Sequence, residues 1–266
     1  GNVVNYEEMR NVYYPRVREM LRLSPLPDDL YYKPSFGHSR VWDKQVRLAG
    51  YEPERIDGIW NWDVVRKEFH YRSRPSASIG ESNHGNSNGA KFDLTQNYLK
   101  YAEQSGYTSI YPGMQVKSLG QDSNGRYLVE IEQIDPMGEI IDQFTLSCDY
   151  LFMAAGSINT TRLLLKAREL GHVPGLNDGI GAEWGTNGDI LIARRDIDNS
   201  TAPIQGGPPS IACFDNENPY TPTGFMHSPT SVVGDYTQLQ MGMCVPDKNS
   251  TVTYNRLRDN IDLNWD

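Results

Sequence analysis

The chain has 266 residues, 38% of them apolar with 24 glycines besides, and 25 basic against 34 acidic side chains, a net charge of −9. Such a composition buries a core and excludes an intrinsically disordered chain, while the acidic balance lacks the basic footprint of a nucleic-acid binder. The mean hydropathy is −0.59, and no apolar run approaches the roughly 20 residues of a membrane span. Cys148, Cys213 and Cys244 are widely spaced and form no CxxC pair, so neither a disulfide framework nor a metal set is expected.

Residues 6–23 read as helix, with Met9, Val12, Val17, Met20 and Leu21 near a 3.6-residue period. Pro15 inside that pattern starts a second helix at its first turn. Ser24 to Pro34 is a Pro-rich connector, and Ser39 to Ala49 a helix stopped by Gly50. Ile59 to Arg74 is aromatic and irregular, and Gly80 to Gly89 a Gly/Asn/Ser loop. Asp93 and Gln96 resemble a capping box for a helix running to Ser105.

The pattern then turns to strands. Thr108 to Leu119 is a strand interrupted at Pro112-Gly113. Arg126 to Ile134 and Ile140 to Cys148 alternate around the turn Asp135 to Gly138, a hairpin with one wet face. Tyr150 to Ala155 is apolar throughout, as for a strand buried on both faces, and leads through Gly156-Ser157 into a helix opening at Asn159 and closed by Gly171. Beyond the Gly-rich loop 175–188, the strands expected are Asp189 to Arg194, Ser210 to Phe214, Tyr236 to Val245, Thr251 to Tyr254 and Ile261 to Trp265. In the third, Leu239, Met241, Met243 and Val245 share one face.

The sharpest local feature is Leu151 to Ser157. An apolar strand passing through small residues into a helix start lets backbone N–H groups approach an anionic ligand. Ordinary tight strand–helix packing is the competing reading. Gly179 to Gly185 misplaces its last glycine for a dinucleotide fingerprint and follows a loop, which favours a glycine-bent loop around Trp184. No nucleophile elbow, HExxH or Walker loop occurs, and no two of the five histidines stand at ligand spacing. His84, in the flexible-looking loop, reads as a surface histidine.

Several stretches together resemble the bacterial cholesterol oxidase branch of the glucose–methanol–choline flavin oxidoreductases. They are Cys148 to Ser157, Leu163 to Arg168, Leu176-Asn177 and Gly181 to Gly188, supported by Tyr14-Pro15-Arg16, Asn83-His84-Gly85, Leu94 to Leu99, Gln115-Val116-Lys117, Phe214-Asp215-Asn216 and Leu263-Asn264-Trp265. The likeness thins over 24–78 and 196–235. It implies a mixed α+β and α/β fold, in which an antiparallel-sheet substrate domain with helices accompanies part of a Rossmann-like FAD-binding domain. On that reading, residues 1–91 are the first part of the substrate domain, 92–183 the middle part of the FAD-binding domain, and 184–266 the second part of the substrate domain.

The resemblance implies an FAD-dependent oxidase of a secondary, sterol-like alcohol, with oxygen as acceptor. A flavin dehydrogenase of another alcohol and an inactive binding domain are the alternatives. It matches Val116 to a residue whose backbone contacts the adenine side of FAD, Ala154, Ala155, Gly156 and Ser157 to the strand end against the cofactor, and Asn187 and Gly188 to a substrate-side loop. The family's glycine-rich fingerprint precedes these motifs and its catalytic histidine and asparagine follow them, so the chain reads as a central fragment with no catalytic residue of its own. Its expected partners are an alcohol or sterol and the missing parts of the same enzyme. The fragment is expected to be soluble and not to hold FAD alone. The sequence leaves its location open; the resemblance implies secretion or association with a membrane surface as alternatives. The family's proton-transfer glutamate has no counterpart: Pro219 to Pro229 contains no carboxylate.

Overall fold

A computed structural model describes residues 4–195, 206–217, 219–230, 237–244 and 249–265. The chain divides into two compact units, each drawn from two stretches: residues 1–108 with 187–245, and 109–186 with 246–266. Helices and antiparallel sheets make the architecture mixed α+β. Every strand pair among the described residues is antiparallel, so these residues contain no parallel, doubly wound sheet.

In the first unit, α1 (Tyr6–Glu8) and α2 (Tyr14–Met20) are joined by a π-helical turn, Met9–Tyr13. Pro15 opens α2 as expected, but the chain stays helical through it. The wide turn satisfies the Met9 carbonyl with the Tyr14 N–H, one residue ahead of the proline that has none to give. The helix ends at Met20, short of residue 23. The Pro-rich connector holds a short helix, α3 (Asp28–Tyr31). Next come α4 (Gly37–Leu48) and β1 (Glu54–Arg55). The stretch expected to be irregular contains α5 (Trp62–Phe69), whose Asn61 side chain accepts from the Val64 N–H as an N-cap. The loop beyond it includes a 3-10 turn at Glu81–Asn83. The expected capping box is also different. Asp93 caps only a 3-10 turn by accepting from Thr95 N, and α6 (Tyr98–Gln104) starts later, behind Asn97.

The second unit begins with β2 (Met114–Gln121), β3 (Tyr127–Ile134) and β4 (Ile140–Cys148), an antiparallel meander in the order β2-β3-β4. Pro112 and Gly113 precede β2 rather than interrupting it. After β4 the chain enters α7 (Gly156–Glu169), so Asn159 lies inside the helix and not at its cap.

Residues 150–155 are not a strand. Leu151 and Met153 pack onto the core, but Tyr150 is 84% and Phe152 91% exposed. Apolarity alone makes no strand: backbone N–H and C=O groups need a neighbouring strand, and no described strand pairs with this segment.

The remaining strands are β5 (Asp189–Arg195), β6 (Ile211–Asp215), β7 (Thr223–His227), β8 (Thr237–Met243), β9 (Thr251–Asn255) and β10 (Asn260–Asn264). The first unit's sheet runs β1-β6-β7-β8-β5, and the period-2 stretch around Leu239 is an interior strand. Tyr236 and Val245 lie outside the described residues. Neither β1 nor β7 is expected from the sequence. β9 and β10 form a hairpin in the second unit, where Val252 of β9 is buried.

Two cores result. One gathers Leu26, Leu30, Phe36, Trp42, Trp60, Trp62, Val65, Ile211 and Cys213. The other gathers Leu119, Val129, Ile131, Leu163 and Ala167, with Val116, Leu151 and Met153 packed on its edge. Glu68, a buried carboxylate, organises the loop that follows α5. It accepts from the backbone N–H groups of Ser76, Ala77 and Ser78 and from Asn88 Nδ2 at 2.7–3.2 Å, which offsets the desolvation of its charge.

Candidate functional site

The second unit carries five of the candidate residues. Ala154, Ala155, Gly156 and Ser157 are all exposed and form the turn into α7. Gly156 has φ +82°, and a side chain there would meet nothing within 4 Å, so the turn opens on free space. No side chain caps the first turn of α7. Thr160 Oγ1 instead accepts from the Ala155 N–H at 3.0 Å, and the Thr161 hydroxyl donates to the Ser157 carbonyl. Small side chains, a left-handed glycine and an uncapped helix start leave N–H groups available to an acceptor oxygen.

Val116 lies on β2 and packs on the same cluster as Leu151 and Met153. The β2–β3 register slips between Val116 and Ser118. This bulge bends the strand at Val116, in the manner by which bulges re-aim backbone. One core cluster thus brings Val116 together with the segment leading to Ala154.

Asn187 and Gly188 belong to the first unit. Asn187 closes a turn at the start of β5, its amide donating to Asp189 Oδ2 at 2.7 Å and its Oδ1 accepting from Asp189 N at 3.2 Å. The Gly188 carbonyl accepts from the Cys244 N–H and thiol.

Register puts Leu191, Phe214, Met226, Leu239, Met241 and Met243 on one face of the five-stranded sheet. Leu191 is 67% and Phe214 46% exposed, and the other four are half-buried. Gly224 lies between Phe214 and Met243, where a Cβ would come within 3.1 Å of both, so a larger residue would disrupt the face. Asp189 and Arg195 border it at the two ends of β5. A half-open surface of flexible thioethers and one ring suits a bulky apolar ligand. Sequence reading reached Leu239, Met241 and Met243 by alternation but missed Met226, because β7 is hidden among Thr and Pro residues.

Two other motifs are structural. His84 is exposed, with its Nε2 2.8 Å from Thr230 Oγ1, while Asn83 Nδ2 donates to Ser228 Oγ and the Pro229 carbonyl. This pair pins its loop beside the end of β7. In the 179–185 loop, Gly181 has φ +86° and donates no side chain where a Cβ would stand 2.2 Å from the Val252 carbonyl oxygen. Trp184 bridges to Ser250 and meets Trp265 edge-on at 5.3 Å. The loop is a packing element folded around Trp184, as its spacing predicts. Among the described residues, no three His, Cys, Asp or Glu side chains cluster as a metal site, and no helix is long and apolar enough to cross a membrane.

No family model matches the chain. Over 109 residues, 41% of the chain, it is 32% identical to proteins named cholesterol oxidase from two strains of Mycobacterium tuberculosis, CDC 1551 / Oshkosh and ATCC 25618 / H37Rv. The matched stretch spans 18% of the length of these relatives. This partial match relates the chain to an oxidoreductase.

Proposed function

We propose that the chain is part of an FAD-dependent oxidoreductase that oxidises a secondary alcohol of sterol type with oxygen as acceptor. The observation that carries this reading is the 32% identity to cholesterol oxidase over 109 residues. Two features of the structure support it. The turn 154–157 offers unobstructed backbone at an uncapped helix start, which fits one wall of a dinucleotide site. The methionine-lined sheet face offers apolar area for a ring system.

Bound FAD supplies the hydride acceptor; the protein supplies position and electrostatics. In this reading Ala154, Gly156 and Ser157 hold the cofactor through backbone N–H groups, Ala155, whose N–H is taken by Thr160, lines the turn, and Val116 lines the adenine side. Met226, Leu239, Met241 and Met243 exclude water from the apolar body of the substrate, with Asn187 and Gly188 at its border. Residues 1–91 and 184–266 make up parts of the substrate domain, and 92–183 the middle part of an FAD-binding, Rossmann-like domain. Acid–base chemistry falls to the histidine and asparagine that the family carries beyond the motifs matched here. The stretch 219–229, free of carboxylates, favours oxidation without isomerisation of the double bond.

The test is turnover of a sterol and simple-alcohol panel by the full-length parent, with hydrogen peroxide and product double-bond position both measured. Peroxide in step with a 3-keto product that keeps its double bond in place is the expected result. Turnover only with an artificial dye acceptor would make the parent a dehydrogenase, and no turnover of any alcohol would end the reading.

A further inference from the structure

The opposite face of the five-stranded sheet, away from the methionines, carries a concavity. It is a cleft of about 230 Å³ between α4 and the strands, walled by Trp42, Ala49, Arg194, Phe225, Gln238 and Gln240. Trp42 and Phe225 make it flat and apolar, and Ala49 leaves its space unfilled.

Three of its polar side chains, Arg194, Gln238 and Gln240, carry N–H donors. Gln238 is 3% exposed, yet its Nε2 has no hydrogen-bond partner among the described residues. A buried amide N–H of this kind is stabilised by any acceptor oxygen brought to it. The Trp42 indole can only donate, and it takes Gln240 Oε1 at 3.1 Å, so the remaining hydrogen-bonding group of that amide is its NH2. Arg194 gives one N–H to Gln45 Oε1 at 3.0 Å and is the sole formal charge among the described residues lining the cleft. Asp215, outside the lining, accepts from the Tyr51 hydroxyl.

We infer that this cleft binds a small ring-bearing carboxylate, with the ring between Trp42 and Phe225 and the carboxylate taken by Gln238 and Arg194. Two apolar walls select the ring. A surplus of donors with one guanidinium selects the anion. The assignment is independent of the flavin reading, because it uses the other face of the sheet.

The test is titration of the 15N-labelled chain with sodium benzoate at neutral pH, following the Trp42 indole N–H signal, which is identified by its loss in Trp42→Phe. Expected is a saturable shift with a dissociation constant on the order of 1 mM for a ligand of this size. Benzyl alcohol, which has the ring without the anion, and acetate, the anion without the ring, are expected to bind at least about tenfold more weakly. Arg194→Gln and Gln238→Leu each weaken benzoate by about tenfold, and Ala49→Phe, which fills the cleft, removes the shift. Arg194 and Ala49 are exposed, so Arg194→Gln and Ala49→Phe keep the test readable if the buried variant Gln238→Leu fails to fold. A Trp42 signal that does not move, or one that moves equally in Arg194→Gln, overturns the site. Benzyl alcohol binding as tightly as benzoate overturns the carboxylate.

Discussion

A helix packs against a sheet in each unit, and the two seams are chemically opposite. Under α7, Leu163 and Ala167 meet Leu119, Val129 and Ile131, an aliphatic seam held by volume alone. Under α4, Trp42 shares its seam with His38, Ser39, His227 and Gln238, all buried. Among the described residues, both His38 ring nitrogens, Ser39 Oγ, His227 Nδ1 and Gln238 Nε2 lack a partner. His227 Nε2 alone is engaged, accepting from Ser210 N at 3.0 Å. A polar seam of this kind costs desolvation that its aromatic neighbours must offset. The lesson is that the same architecture yields one seam indifferent to pH and another that registers it.

The strongest challenge to this contrast is to remove the aromatic that holds the polar seam. Trp42→Ala is expected to cost about 3–5 kcal/mol, read as a loss of amide-exchange protection concentrated in β6 and β7. Loss spread evenly over both units would break the contrast. In the second unit, Gly181→Ala meets backbone at 2.2 Å and carries a left-handed φ. We expect it to cost roughly 3 kcal/mol by urea unfolding; a cost below about 1 kcal/mol would show that the loop moves aside freely.

Acid is the third lever. Burial brings His38 down to about 4 and pushes His227 well below the ordinary value, with the neighbouring His38 adding to it. Folded, both are neutral; unfolded, they take up protons near pH 6.5. The stability tied to these neutral rings is therefore whole above about pH 6.5. It falls as pH drops toward 4, by about 1.4 kcal/mol per pH unit for each histidine. Unfolding curves at pH 7.5, 6 and 5 should show this slope in the first unit and not in the second, and His38→Gln should roughly halve it. Further down, the second unit joins, because Asp259, held below its ordinary range by the hydrogen bond and charge of Lys166, becomes protonated.

The smallest effects sharpen the edge of the aliphatic seam. Leu151→Ala is expected to cost about 1–2 kcal/mol, less than the 2–5 of a fully buried leucine. Phe152→Ala, at a position 91% exposed, is expected to cost under about 0.5 kcal/mol. A large loss at Phe152 would mean that the segment 150–155 is covered after all.

These residues also mark how far the sequence could be read. Tyr127–Ile134 was legible because its period and its partners lie close along the chain, and Thr237–Met243 by its alternation alone. Tyr150 to Ala155 misled, since six apolar residues say nothing of who will pair with them. β1 and β7 were illegible for a related reason: Glu54–Arg55 is strand only because Ile211 and Ala212 lie beside it. Of the candidate site, the small-residue turn 154–157 was visible as a motif and the methionine face by half. The polar seam and the cleft beside it gave no signal, because they join α4 to strands far downstream.

That distance governs the order in which the chain can organise itself. The buried face of α4 waits for His227 and Gln240, about 190 residues further on, while residues 109–186 form a meander and a helix from neighbouring segments alone. During synthesis the middle of the chain has local contacts to make at once, whereas the first 108 residues hold Trp42, Phe36 and Val65 without the sheet that finally shelters them. Closing so long a loop is slow relative to local pairing. The early stretch therefore spends its first moments as the adhesive part of the chain, and it is the part that a chaperone would meet.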